Sequence, residues 1–363
     1  MNTAKKVLFY SRDPGGTNCI IPVYQQLREM KDVETVLWGK DFAIRKYQEE
    51  GLEYRDIGNL KKGEVRDILS QLNPNILVTG TSYGDRTEQW LWKTAGKLGI
   101  YSIAILDQWL CYRIRFSDSS GRLTMPDKIL VMDEMAKKEM VADGFDGQKI
   151  LATGQPHFEM LREKAGKISE SDKRKIKEDF NCRDGFVILF ASEPFSVASH
   201  VDLGFTENAI LQEIVFAIQQ LERSVKINLL VKLHPKQSRD KVQRFIQSLP
   251  VLNNLRILIV TDYPVLPLIL VADIVIGIQS TVLIEANILD KPVMSVQIGR
   301  KGPDQFILSK RGVIEAVTTS DVLSKGLKRF FLRSGKTSQK MFPVLSHPVE
   351  NIKRFIMSVS DQQ

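Results

Sequence analysis

Residues 272–299 read ADIVIGIQSTVLIEANILDKPVMSVQIG, and they describe a strand, a helix and a second strand in succession. The apolar run Ile274 to Ile278 leads into a turn carrying Gln279, Ser280 and Thr281. An apolar helix continues through Leu289, Asp290-Lys291-Pro292 stops it, and a strand follows from Val293 to Gln297. Such a unit places parallel strands side by side with a helix over one face. Small hydroxyl residues at a strand-to-helix turn leave backbone N–H groups and the positive end of the helix dipole facing outward, where an anion is favoured. Glu285 follows Thr281 at i+4, so its carboxylate can reach a hydroxyl group beside that anion. Phosphate next to a sugar diol is the chemistry of a nucleotide. The same residues also suit a buried helix whose serine is only an N-cap and whose glutamate is a surface charge.

Outward from this unit the pattern repeats. Apolar runs at 7–11, 35–39, 76–80, 102–106, 128–132 and 150–154 alternate with helical stretches, and a second series follows at 186–192, 227–233, 256–262, 273–278 and 292–298, with a weaker run at 313–317. Unalternated apolar strands separated by helices indicate parallel sheets covered on both faces, hence an α/β class with two Rossmann-like domains. The expected boundaries are 1–163 for the first domain, a charged linker at 164–185, a second domain at 186–345, and a terminal helix at 346–363. Residues 325–340, KGLKRFFLRSGKTSQK, are basic around a Phe-Phe-Leu centre. They read as a helix capping its own domain, with a membrane-surface helix as the alternative.

Composition agrees with a globular protein of more than one core. At 363 residues the chain exceeds the ~150 typical of one domain. Its 51 Lys+Arg against 43 Asp+Glu give a net charge of +8, which favours anionic partners. No nucleic-acid-binding signature accompanies the charge, so nucleic acid is not expected as a partner. Cys19, Cys111 and Cys182 are odd in number and widely spaced, which argues for a reducing compartment and against a disulfide or metal framework. No signal-peptide core is evident, and the longest apolar region falls short of the roughly 18 residues of a membrane span. A cytoplasmic location is expected, with any membrane association peripheral, at the inner face.

Several strand ends carry residues suited to chemistry. Asp13-Pro14-Gly15-Gly16-Thr17-Asn18 directly follows the first strand. Its glycines allow close backbone approach to a ligand, and Asp13 is a candidate general base, or simply an Asp opening a Pro-Gly turn. Lys232-Leu233-His234-Pro235 ends a strand of the second domain, leaving the imidazole able to donate a hydrogen bond to a phosphate or a base. Thr153-Gly154-Gln155-Pro156-His157 closes the last strand of the first domain, as a hinge or as a source of ligand contacts from Gln155 and His157. Asp107-Gln108-Trp109 with Arg113 and Arg115, and Ser192-Glu193, lie at further strand ends where open α/β sheets place ligands. Arg300 and Lys301 can neutralise a diphosphate. Motifs for metal hydrolysis, a P-loop or a serine-hydrolase elbow do not occur, so no metal or other cofactor is expected.

Together, DPGGTN, TGQPHF, KLHP and QSTVLIEANILDKPV resemble the GT-B superfamily of nucleotide-sugar glycosyltransferases, and within it bacterial capsule transferases and CDP-glycerol glycerophosphotransferases. The resemblance implies two Rossmann-like domains facing across a cleft, with the donor nucleotide held by the second. It assigns His234 to the donor nucleotide or its phosphate, Ser280 and Thr281 to phosphate and Glu285 to ribose; beside them Lys232, Gln279 and Lys301 are further candidates for binding the nucleotide phosphate, and His234 is counted with Asp13 as catalytic. Gly15, Gly16 and Thr17 become the first-domain loop, with Asp13 as base. The activity implied is transfer of a sugar or polyol phosphate from a nucleotide donor, CMP/CDP or UDP being favoured, to a glycan or lipid-linked acceptor in surface-polysaccharide synthesis. The chain also resembles non-hydrolysing UDP-N-acetylglucosamine 2-epimerases around TGQPHF, but lacks the Ser-Gly-Gly turn and Arg-x-x-Thr-Glu-Arg-Pro segment associated with them. The epimerase is therefore the alternative activity, and a non-catalytic nucleotide-binding subunit is a third reading.

Overall fold

The computed structural model describes residues 4–118, 120–195, 202–221, 224–332 and 339–359. Two compact units account for them, Met1–Met160 with Val344–Gln363, and Leu161–Pro343.

In the first unit, among the described residues, seven strands form one parallel sheet: β1 (Lys5–Ser11), β2 (Val33–Gly39), β3 (Arg55–Asp56), β4 (Ile76–Thr79), β5 (Tyr101–Ile105), β6 (Lys128–Val131) and β7 (Ile150–Ala152). The order is β3-β2-β1-β4-β5-β6-β7, so the direction of winding reverses between β1 and β4. Val7, Leu8, Phe9 and Tyr10 are fully enclosed, as befits a central strand with helices on both faces. β3 is two exposed residues with no apolar run to announce it. The helix Pro14–Arg28 begins with proline at its first turn, where the missing N–H costs no intrahelical bond. Backbone meets backbone at its start: a Cβ on Gly80 would lie 2.9 Å from the Gly16 Cα. The terminal helix Pro348–Ser358 rests on Pro14–Arg28 and seats Ile352 and Ile356 in the core of this unit. Each buried isoleucine contributes roughly 1.5–3 kcal/mol. Asn351 Nδ2 donates to the Thr153 carbonyl at 3.1 Å, which ties the helix to the end of β7.

The second unit has five parallel strands among its described residues, β8 (Phe186–Ala191), β9 (Ile227–Lys232), β10 (Leu255–Val260), β11 (Ile274–Gly277) and β12 (Val293–Ser295). Their order, β10-β9-β8-β11-β12, puts the reversal between β8 and β11. The helix Glu207–Gln219 is capped by Thr206, whose Oγ1 accepts from Ala209 N at 3.2 Å, and it packs against the helix Ser320–Leu332. That second helix buries Leu323, Leu327 and Phe330 in its own unit's core. Within the basic stretch, residues 333–338 lie outside the described residues, as do 360–363 of the terminal helix segment. Within 164–185, Ser169 and Asp172 form a capping box that opens the helix Glu170–Asp179, and Ile176 is buried.

The weak run at 313–317 is not a strand. Val313 and Ile314 spend their amides on the Leu308 carbonyl, closing the helix Ile307–Lys310. Sheet-like pairing is confined to Val317, which bridges Val296 in parallel just beyond β12.

Candidate functional site

In a doubly wound sheet, diverging loops leave a crevice at the carboxyl ends of the two strands that flank the reversal. Each unit has one such crevice, lined by the ends of β1 and β4 in the first and of β8 and β11 in the second.

The second-unit crevice contains the helix Thr281–Ile288. Ser280 is its N-cap, extended in backbone, with Oγ accepting from Val282 N at 3.3 Å. Leu283 through Ile288 are all buried, Glu285 and Asn287 included, so the helix is enclosed beyond its first turn. Asp290, with φ of 57°, ends it together with Pro292. Thr281 is exposed and Ser280 partly so, leaving the turn open to an anion, while Glu285 lies buried one turn further in. At the end of β9, His234 N donates to Gln237 Oε1 (2.9 Å), and His234 Nδ1 accepts from Lys236 N (3.1 Å). Burial, with the Lys236 charge, pushes the imidazole pKa below its usual value. With Nδ1 accepting, the neutral ring carries its proton on Nε2 and is a hydrogen-bond donor.

Ser192 and Glu193 follow β8. Ser192 is buried and accepts from Gln237 Nε2 at 2.9 Å. Glu193 Oε2 accepts from Gln279 N at 2.8 Å. Burial first, and the charge of Glu207 in addition, push the Glu193 carboxyl up to about 7. Gln237 and Glu207 therefore belong to this network; sequence reasoning missed both, since neither sits at a strand end. Lys232 is turned away, its ammonium bonded to the Thr261 carbonyl and its pKa lowered by burial. Lys301 pairs with exposed Asp202, and Arg300 with Gln297 and Asp304.

The first-unit crevice is built around Asp107. Its Oδ1 accepts from Arg115 (2.8 Å) and from Thr81 Oγ1 (3.1 Å), and all three residues are buried. Its Oδ2 lies against Gly15, where a Cβ would stand only 1.8 Å away. Glycine at 15 is thus dictated by Asp107. Asp13, the expected base, has both oxygens engaged at 2.8 Å, Oδ1 with Arg12 and Oδ2 with the Tyr83 amide. Thr17 is enclosed, donating to the Asp13 carbonyl at 2.9 Å. Gln155 is likewise interior: it donates to the Asp107 carbonyl (3.0 Å) and accepts from Cys19 Sγ (2.9 Å) and the His157 amide (3.1 Å). It braces the Asp107 loop from behind, and His157 follows in the first turn of Pro156–Gly166. Nearby, Glu88 is buried, accepting from Ser82 Oγ at 2.5 Å, and desolvation raises its carboxyl to about 8. Nothing in the motif spacing marks Glu88 or Thr81; only the fold brings them to the edge.

Among the described residues no cluster of three or more His, Cys, Asp or Glu side chains is placed to hold a metal ion, and no helix is long and apolar enough to cross a membrane.

Comparison with solved structures settles the architecture. The UDP-GlcNAc 2-epimerase of Methanocaldococcus jannaschii aligns over 97% of this chain and 99% of its own, with 16% identity and a TM-score of 0.73. The chain has a GT-B-like fold. The Neisseria meningitidis UDP-GlcNAc 2-epimerase, solved with UDP-GlcNAc, aligns over 99% and 100% of the two chains at 15% identity and TM-score 0.68. A Rickettsia africae glycosyltransferase shares the fold at 12% identity, TM-score 0.61, over 97% and 92%. No relative was found among curated protein sequences. The family model described as UDP-N-acetylglucosamine 2-epimerase matches residues 124–302.

This match corrects the transferase expectation. It runs through the TGQPHF, KLHP and QSTVLIEANILDKPV segments, which had been assigned to glycosyl or polyol-phosphate transfer. The same segments therefore fall within an epimerase family match and not a transferase one. The missing Ser-Gly-Gly turn and Arg-x-x-Thr-Glu-Arg-Pro segment, on which the epimerase had been set second, did not prevent the family match.

Proposed function

We propose that the chain is a non-hydrolysing epimerase that inverts C2 of the sugar in UDP-N-acetylglucosamine or a closely related UDP-N-acetylhexosamine. The observation that carries this reading is the epimerase family match over residues 124–302, which includes the anion turn and the His234 strand end. In this reading the amides and hydroxyls at Gln279, Ser280 and Thr281 take the diphosphate, His234 Nε2–H donates to a phosphate oxygen, and Glu285 takes the ribose. Charge that gathers on the diphosphate during reaction is then met by fixed donors, which lowers the barrier selectively.

No carbonyl neighbours C2 to hold a carbanion, so a base removes its proton as the C1–O bond to UDP breaks, leaving a C1–C2 double bond and free UDP; UDP then re-forms the C1–O bond while an acid returns a proton to the opposite face of C2. Among the described carboxyl groups suited to such proton transfer are Asp107, which accepts from Arg115 and Thr81, and Asp13, which accepts from Arg12. Of the two, Asp107 is the better candidate, because Oδ2 is held against a residue with no side chain, whereas both Asp13 oxygens already accept hydrogen bonds.

The test is incubation of the purified protein with UDP-N-acetylglucosamine in D₂O, with no acceptor. The expected product is the C2 epimer carrying one deuterium at C2, since a carboxyl proton exchanges with solvent. Recovery of the substrate with hydrogen retained at C2 would falsify the reading.

A further inference from the structure

The turn that this reading gives to a phosphate already carries an acidic side chain of the protein. Glu193 Oε2 accepts the Gln279 N–H at 2.8 Å, and the amides of Ile278 and Ser280 also act on the same carboxyl group. The elements around it are the end of β8 with Ser192, the helix Glu207–Gln219 with Glu207, the loop after β9 with His234, Lys236 and Gln237, and the turn itself. Gln237 Nε2 is shared between Ser192 Oγ (2.9 Å) and Glu207 Oε1 (3.5 Å), so the network leads from buried Glu207 to the crevice. The charged side chain acting on Glu193 is Glu207, and its sign opposes ionisation.

An ionised carboxylate is acceptor-only, and so is a phosphate. The two compete for one amide and repel each other at hydrogen-bonding range. Protonation removes both conflicts: a carboxylic acid can leave the amide to the phosphate and donate its own O–H to a phosphate oxygen.

We propose that Glu193 is a proton-coupled stand-in for the ligand's phosphate, giving up the Gln279 amide when the nucleotide binds and taking up one proton as it does so. This rests on the nucleotide-binding reading of the 279–281 turn. The proton balances: one is drawn from solvent, sits on a Glu193 oxygen in the complex, and returns to solvent when the nucleotide leaves. Burial, with Glu207, has already pushed the carboxyl to about 7, so the uptake falls in the physiological range. His234 is shifted downward and stays neutral there.

Calorimetry of UDP binding to the full chain tests this, run in two buffers of different ionisation enthalpy. The working range is from about pH 7 to about pH 8.5, above the ~6 of a terminal phosphate. Near the upper end, close to one proton is taken up per UDP. With the free carboxyl at about 7, one-proton linkage makes Kd about 15-fold weaker across that range. Glu193→Gln binds with no uptake and a flat Kd, tighter than the parent at the alkaline end. UDP binding without proton uptake by the parent overturns the inference, and so does a Glu193→Gln variant that keeps both uptake and slope, since Lys232 or another group would then be titrating. Should that variant not fold, Glu207→Gln, which removes the charge opposing ionisation of Glu193, moves the onset of proton uptake to lower pH, and an unmoved onset overturns the inference. No UDP binding by the parent at any pH overturns the nucleotide reading, and this inference with it.

Discussion

Gly15→Ala adds one methyl group, and the structure says what that methyl meets. Its Cβ would stand 1.8 Å from Asp107 Oδ2 and 2.7 Å from Asp107 Cγ, so the carboxylate has to move. It is not free to do so, because Oδ1 is held by Arg115 at 2.8 Å and by Thr81 at 3.1 Å in a buried setting. Overpacking costs about 1–3 kcal/mol, and losing a buried ion pair about 3–5 kcal/mol. The carboxylate can shift while keeping part of its ion pair, so the two costs are not both met in full and the loss falls where the two ranges meet, about 3 kcal/mol. For a unit of this size the expected fall in Tm of the first-unit transition is about 6–12 °C. Calorimetry or denaturant titration measures it, and a double-mutant cycle with Asp107→Ala isolates the cause. If the clash is the origin, Gly15→Ala costs at least ~1 kcal/mol less in the Asp107→Ala background than in the parent. Additive costs, or an unshifted single variant, would refute the claim that Asp107 dictates glycine at 15.

Three further outcomes follow from the same geometry. Ser280→Ala with Thr281→Ala removes two hydroxyls at the anion turn, and UDP affinity by calorimetry falls by about 10- to 100-fold as hydrogen bonds to a charged group are lost; unchanged affinity would place the phosphate elsewhere. Glu88 has its folded pKa raised from 4.5 to about 8. The native state therefore binds the extra proton between those values, and its contribution to stability declines as pH rises through that window. Glu88→Gln removes this slope, so the variant gains on the parent by up to a few kcal/mol between ~pH 5 and ~pH 8, and parallel unfolding-versus-pH curves would exclude it. Ile356→Ala opens the seat of the terminal helix in the first-unit core, costing about 2–5 kcal/mol, read as a lowered Tm in a calorimetric scan; an unmoved Tm would exclude that role for the helix.

Much of the architecture was legible because parallel strands covered on both faces must be apolar throughout, and runs such as VLFY at 7–10 and FVILFA at 186–191 are unmistakable. Short edge pairings were not. β3 has only Arg55 and Asp56, while Val313 and Ile314 look strand-like yet close a helix. At the site, the turn at 279–281 could be read because capping chemistry is local, whereas Asp107, Thr81, Arg115 and Glu88 are assembled by the order of β1, β4 and β5, which no local pattern states. Thr17 and Gln155 looked outward-facing for the opposite reason, since position at a strand end does not tell which way a side chain turns. The transferase expectation failed because the segments it rested on, TGQPHF, KLHP and QSTVLIEANILDKPV, lie inside the match to the epimerase family model and do not by themselves distinguish the two reactions.

The most direct measurement is the fate of UDP-N-acetylglucosamine given to the pure protein alone, followed by proton NMR of the sugar H1 and H2 signals. The expected result is an equilibrium mixture of C2 epimers, both still joined to UDP. A substrate that remains unchanged, or that loses UDP only when an acceptor alcohol is added, would contradict epimerisation as the activity.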